Sequence, residues 1–136
     1  EPIMEPDALI IQDPTLLHQV DLFAGLKRDG YILINTNRSF DELGLGEFVK
    51  GFRHDRLLTV PATEIALKHV GRPVPNVPLL GAFAALGGLV TIEAVHSAIR
   101  EKFSGKLAEG NVAAADAACQ FVREEEEEAA RHAQAN

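Results

Sequence analysis

The sequence predicts an α/β chain built on an open, mainly parallel sheet. Three observations carry that prediction: short apolar runs of strand length at residues 8–12, 31–34 and 57–60, apolar residues at helical spacing between and after them, and prolines placed where helices begin. The first run ends at Asp13-Pro14, where an aspartate can cap a helix whose first residue is proline. Leu16, Leu17, Val20, Phe23 and Leu26 then line one helical face up to Asp29-Gly30, and residues 31–34 form the second strand. Two strands joined by a helix of this length imply a parallel crossover unit, the building block of α/β sheets.

Residues 39–51 are split by Gly44 and Gly46 and read as a short helix and loop carrying Phe40, Leu43 and Phe48 toward the core. After the third strand, Pro61 suits the start of a helix reaching about His69. Gly71-Arg72-Pro73-Val74-Pro75 cannot continue that helix, because proline lacks the amide and pushes its predecessor out of the α region, so an extended, exposed connector is expected. Asn76 is placed to cap the next helix. Its residues 79–89 are apolar or glycine on every side, which suits burial all round or tight packing against another subunit. Gly81, Gly87 and Gly88 lower its helix propensity by about 1 kcal/mol each, a cost that close backbone approach would offset. Residues 91–103 place Ile92, Val95, Ile99 and Phe103 on one face of an amphipathic helix. Beyond Gly110-Asn111, a last helix begins with Val112, Ala115, Cys119 and Val122 at helical spacing and turns polar at Glu124.

The 136 residues are 46% hydrophobic and 24% charged, with a mean hydropathy near zero, and describe a globular domain with material for one core. A net charge of −7 argues against a surface that tracks phosphates, so a nucleic-acid partner is not expected. Cys119 is the only cysteine, which excludes an internal disulfide and a four-cysteine iron–sulfur cluster within this chain. No apolar run of about 18 residues appears, and EPIMEPD lacks the basic and apolar regions of a signal peptide, so a cytoplasmic, non-membrane chain is expected.

No catalytic constellation is visible. His18, His54, His69, His96 and His132 have no metal-ligand spacing, so no metal site is assigned. Cys119, on the apolar face of an alanine-rich helix, reads as a buried structural thiol. Four residues stand out as weak binding candidates. Asn35, Thr36 and Asn37 follow the second strand at its carboxyl end, where open α/β sheets bind ligands, although turn and capping chemistry explains the same residue types. Arg72, on its proline-stiffened connector, could meet a phosphate or a partner's carboxylate, or be a solvated loop arginine. Glu64 fits the positive end of its helix dipole. Glu124 to Glu128 read as a solvated extension in which Glu127 could pair with Arg131, with fraying expected past Ala130.

Several segments together resemble one enzyme family. Asp7-Ala8-Leu9-Ile10 followed by Asp13-Pro14-Thr15-Leu16-Leu17, then Gly30-Tyr31-Ile32-Leu33-Ile34-Asn35-Thr36, then Pro61-Ala62-Thr63-Glu64-Ile65-Ala66, are similar in order and spacing to the gamma subunit or domain of the 2-oxoacid:acceptor oxidoreductases. Gly71-Arg72-Pro73-Val74-Pro75-Asn76, Leu80-Gly81-Ala82-Phe83 and the stretch 106–115 with Asn111 inside it extend the resemblance over residues 7–122. The resemblance implies a Rossmann-like sheet flanked by helices. Residues 1–122 would form the C-terminal part of the family domain and 123–136 an acidic helical tail. The glycine-rich turn with which family chains begin has no counterpart here, which predicts a core completed by that missing half or by a partner.

The resemblance further implies an accessory subunit in the CoA-dependent oxidative decarboxylation of a 2-oxoacid. Pyruvate is the default substrate, with branched or aryl 2-oxoacids such as phenylglyoxylate also open. Thiamine diphosphate with magnesium, iron–sulfur clusters and coenzyme A would serve the complex. None would be bound by this chain alone; the chemistry would lie on sister subunits of a hetero-oligomer, with ferredoxin or a nicotinamide-linked acceptor taking the electrons. The alternative from another class is a free-standing Rossmann-like nucleotide- or coenzyme-binding module without redox partners.

Overall fold

The structure, a computed structural model, describes residues 3–5, 8–13, 30–53, 56–87 and 90–135. The chain divides into two compact units, Glu1–Pro61 and Ala62–Asn136, with the described strands in the first and the described α-helices in the second. Composition bounds the amount of core, and only the structure shows how it is divided.

The first unit is a four-stranded sheet in the order β1 (Ile3–Glu5), β2 (Ala8–Ile11), β3 (Tyr31–Asn35), β4 (Leu57–Val60). The last three strands are parallel, with Leu9 opposite Ile32 and Ile34 opposite Thr59, which gives the mainly parallel sheet expected of the α/β class. One strand was not anticipated: β1 pairs antiparallel with β2. Three residues between Pro2 and Pro6 are too few to show a period of two, so the sequence carries no signal for it. The helix expected at residues 16–26 lies outside the described residues.

Strand β3 is buried along its whole length, as an inner parallel strand must be, and its sequence is accordingly an unbroken apolar run up to Asn35. Leu9, Ile11, Ile32 and Ile34 form one cluster, and Phe40, Leu43, Leu45, Phe52 and Leu57 pack against it. Burying each such side chain contributes about 1.5–3 kcal/mol relative to leaving it in water. Phe40 and Leu43 thus reach the core as expected, but Phe48 does not: it is 40% exposed and tilts against Phe52 at 5.1 Å between ring centres. Val49, one position on, takes the buried place in the 3-10 helix Phe48–Gly51.

The turn that precedes it is closed at both ends. Ser39 N–H donates to Glu42 Oε1 (2.9 Å) while Glu42 N–H donates to Ser39 Oγ (3.1 Å), a reciprocal capping box. At the other end Gly44, at φ +79°, allows its own N–H to reach Asp41 O and that of Leu45 to reach Phe40 O, a Schellman closure.

In the second unit, α1 (Ala62–His69) starts directly after Pro61 and ends at Gly71, where φ is +86° and the amide reaches back to the Ala66 and Leu67 carbonyls. Helix α2 (Asn76–Gly87) begins at Asn76 itself, with Leu79 N–H donating to Pro75 O (3.0 Å); Asn76 is the first helical residue rather than the cap. Pro78 fits this first turn because its missing amide has no partner to lose. Burial of α2 is one-sided in this chain, with Pro78, Leu79, Gly81 and Ala82 buried and Leu80 exposed.

Helix α3 (Ile92–Lys102) is capped by Thr91, whose Oγ1 accepts from Ala94 N–H at 3.0 Å, and it buries Val95 and Ile99. Helix α4 (Gly105–Ala135) departs most from expectation, since it begins at Gly105 and runs unbroken through Gly110-Asn111. A Cβ on Gly110 would stand 2.7 Å from the His69 carbonyl oxygen, so glycine is what allows α1 this close to α4. Asn111, buried, satisfies its own amide by donating Nδ2–H to Leu107 O (2.8 Å) one turn back. Gly81 does for α2 what Gly110 does for α1: a Cβ there would overlap the Ala115 backbone. The helix also continues to Ala135, past the expected fraying point, and the expected Glu127–Arg131 ion pair is not made.

Candidate functional site

The carboxyl ends of the parallel strands are held by polar contacts from Asn35 and Thr36. Asn35 is 6% exposed, and its Nδ2–H donates to the Gln12 carbonyl at 2.8 Å, tying the end of β3 to the end of β2. Thr36 N–H donates to Val60 O at 2.9 Å and ties β3 to β4. Thr36 Oγ1 then accepts from Arg38 N–H at 3.2 Å, which turns the chain away from the sheet. Asn37 is exposed. The three residues are therefore contiguous at the edge where a ligand of an open sheet would sit, with Asn35 committed to the strand ends and Asn37 facing solvent.

Arg72 belongs to the second unit. It is exposed on the 71–75 connector, as its sequence context predicted, and its guanidinium has no hydrogen-bond or ion-pair partner among the described residues.

Three further contacts have no counterpart in the sequence reading. His96 Nε2 and Asp116 Oδ1 lie 2.6 Å apart and join α3 to α4. Twenty positions separate the two residues, so no local pattern reveals the pair. Arg56 lays its guanidinium 4.6 Å from the centre of the Tyr31 ring. The Ser39–Glu42 box is written in the sequence as S-x-x-E. Its backbone hydrogen bond from Ser39, followed by the side-chain one, holds the Glu42 carboxyl below the usual carboxylate range.

Among the described residues the donor chemistry does not fit a metal or iron–sulfur group. Among the described residues no three of His, Cys, Asp and Glu converge as a metal ion would require. The single cysteine, Cys119, is 2% exposed, and burial pushes its thiol up, away from the thiolate that ligation needs. No helix among the described residues is long and apolar enough to cross a membrane.

The described residues form an α/β chain with a mainly parallel sheet and polar groups at the carboxyl ends of its strands, the class of open-sheet α/β proteins. Comparison with known proteins gives the family: the pyruvate ferredoxin/flavodoxin oxidoreductase profile matches residues 1–121, and the chain belongs to that family. It is 45% identical over 113 residues to the pyruvate/ketoisovalerate oxidoreductases common subunit gamma of Pyrococcus abyssi, covering 83% of this chain and 60% of that protein. It is likewise 45% identical over 116 residues to the pyruvate synthase subunit PorC of Methanocaldococcus jannaschii, covering 85% of this chain and 60% of that one. The crystal structure of the pyruvate oxidoreductase subunit PORC of Thermotoga maritima superposes with a TM-score of 0.73 at 30% identity, over 87% of this chain and 64% of that one. The chain thus spans about 60% of the length of the curated relatives it matches.

Proposed function

We propose that this chain acts as the gamma-type, accessory part of a 2-oxoacid:acceptor oxidoreductase that oxidatively decarboxylates a 2-oxoacid in the presence of coenzyme A. The observation that supports it is the family match over residues 1–121, with 45% identity to relatives named as gamma or PorC subunits. Pyruvate is the first substrate to test, and the ketoisovalerate in several relatives' names makes a branched 2-oxoacid the second. Aryl 2-oxoacids such as phenylglyoxylate come third.

Thiamine diphosphate with magnesium, iron–sulfur clusters and coenzyme A would supply carbanion, electron-transfer and acyl-acceptor chemistry on this reading. All are assigned to the complex, and no step is routed through this chain, whose donors among the described residues do not fit a metal or cluster. The chain's own residues contribute position. Asn35 fixes the strand ends, which presents Thr36 and Asn37 at the carboxyl edge of the sheet toward a coenzyme or a neighbouring subunit. Arg72, exposed and unpaired among the described residues, offers its guanidinium to a phosphate or a carboxylate. Ferredoxin or a nicotinamide-linked acceptor would receive the electrons from a cytoplasmic hetero-oligomer.

The test is anaerobic purification at natural abundance, followed by native mass spectrometry with iron, sulfide and thiamine analysis. Co-isolation with thiamine-binding and iron–sulfur polypeptides, 2-oxoacid turnover by the complex and none by the lone chain are expected. Turnover by the lone polypeptide overturns the reading, and micromolar coenzyme or nucleotide binding by a chain without partners replaces it with the free-standing module.

A further inference from the structure

Five large hydrophobic side chains stand exposed among the described residues, and three of them fall within one short stretch: Leu67 (48%), Val74 (53%) and Leu80 (43%). They sit on α1, on the 71–75 connector and on α2, which follow one another along the chain. Isolated exposed aliphatics are ordinary, but their concentration around one connector is not the only feature here. Lys68 and Arg72 lie in the same stretch, both exposed and both without a side-chain partner among the described residues. Helix α2 contains no ionisable side chain, and the only carboxylate of α1, Glu64, is in its first turn, away from the connector. In a chain of net charge −7, the stretch 65–80 carries Lys68, His69 and Arg72 and no carboxylate, so this stretch is cationic and apolar.

The connector is also stiff. Gly71 ends α1 at φ +86°, and Pro73 and Pro75 each fix φ, so Arg72 and Val74 are held with little backbone freedom left to lose on binding.

We propose that this connector, with Leu67 and Leu80 beside it, is the docking element for a sister subunit that presents carboxylates around an apolar surface. Arg72 and Lys68 pair with the carboxylates, while Val74 is the apolar anchor of the contact. The inference rests on the subunit reading above. A free phosphate or coenzyme phosphate would use the cations but leave three aliphatic side chains unexplained. A second copy of this chain docking symmetrically through the same element would set Arg72 and Lys68 against their own copies, which electrostatics disfavours.

The test uses the assembled complex and the Arg72→Glu, Val74→Asp and double variants, with subunit association followed by native mass spectrometry across a dilution series. Each single substitution is expected to weaken association by about tenfold or more, with the Arg72→Glu loss growing smaller as salt is raised. Circular dichroism of the chain should stay unchanged, because both side chains are exposed. Should either variant unfold, the milder Arg72→Gln and Val74→Ser are read in the same assay with the same expected direction. Association within about twofold of the unsubstituted complex overturns the inference and leaves the subunit reading standing, whereas an unsubstituted chain that joins no thiamine or iron–sulfur polypeptide removes the reading itself. Two other outcomes also overturn the inference: loss of a homodimer instead of the hetero-complex, or loss of inorganic phosphate binding in Arg72→Glu with assembly intact.

Discussion

The two units of this chain reach order by different means. In the first, the apolar strands supply the burial, but polar groups fix the ends: Asn35 joins β3 to β2, Thr36 joins β3 to β4, and the Ser39–Glu42 box and Gly44 close the turn that follows. In the second, missing side chains do the equivalent work, because Gly81 and Gly110 let α2 and α1 meet α4 nearly backbone to backbone. The contrast separates two kinds of sensitivity. A polar tie can be lost for the worth of one hydrogen bond, while a glycine contact cannot take even a methyl group without moving a helix.

The largest effect should therefore come from Gly81→Val. A Cβ would overlap the Ala115 backbone, which cannot rotate away as a side-chain tip can, so a loss on the order of 3 kcal/mol or more is expected in chemical denaturation. Gly110→Ala should follow at about 2 kcal/mol, since its nearest obstacle is a single carbonyl oxygen at 2.7 Å. If both substitutions proved neutral, the helices would not approach as closely as described and the contrast would collapse.

Asn35→Leu tests the sheet unit. It leaves the Gln12 carbonyl without this partner in a buried setting and should cost about 1–2 kcal/mol, less than either glycine substitution. Ser39→Ala should cost about 1 kcal/mol through loss of the capping hydroxyl. The same box gives a pH signature. Glu42 has its pKa lowered in the folded chain, so its contribution is present above the unfolded carboxylate pKa and is lost as pH falls through the lower folded value. Acid titration of stability should show a small step that Glu42→Gln removes. The smallest effect belongs to deletion of residues 124–136, all exposed where burial is described, which should leave the thermal midpoint within the change expected of about 0.5 kcal/mol.

Legibility in the sequence followed the range of the physical signal. Strands β2, β3 and β4 were readable because parallel strands write unbroken apolar runs, and α3 was readable because its face repeats at 3.6 residues. The start of α4 was misread for a definite reason. Gly110-Asn111 looks like punctuation when only propensity is weighed, yet the glycine answers to a carbonyl on another helix and the asparagine to one a turn behind it. Phe48 and Val49 exchanged places for a similar reason, since a one-residue choice within a 3-10 turn is made by packing. Of the candidate site, Arg72 could be placed on its exposed connector because two prolines are a local constraint. The tie from Asn35 to Gln12 could not, because it spans 23 positions.

By itself the sequence determined the α/β class, the order of most elements, the exposed connector and the resemblance that family membership bears out, all of them consequences of local chemistry or of residue order. Only the tertiary structure decided that the chain forms two units, that β1 joins the sheet antiparallel, and that α4 runs through its glycine. Each of those depends on what stands opposite a residue in space, and a glycine's meaning changes from helix breaker to helix contact according to whether another backbone lies within about 3 Å of its missing Cβ.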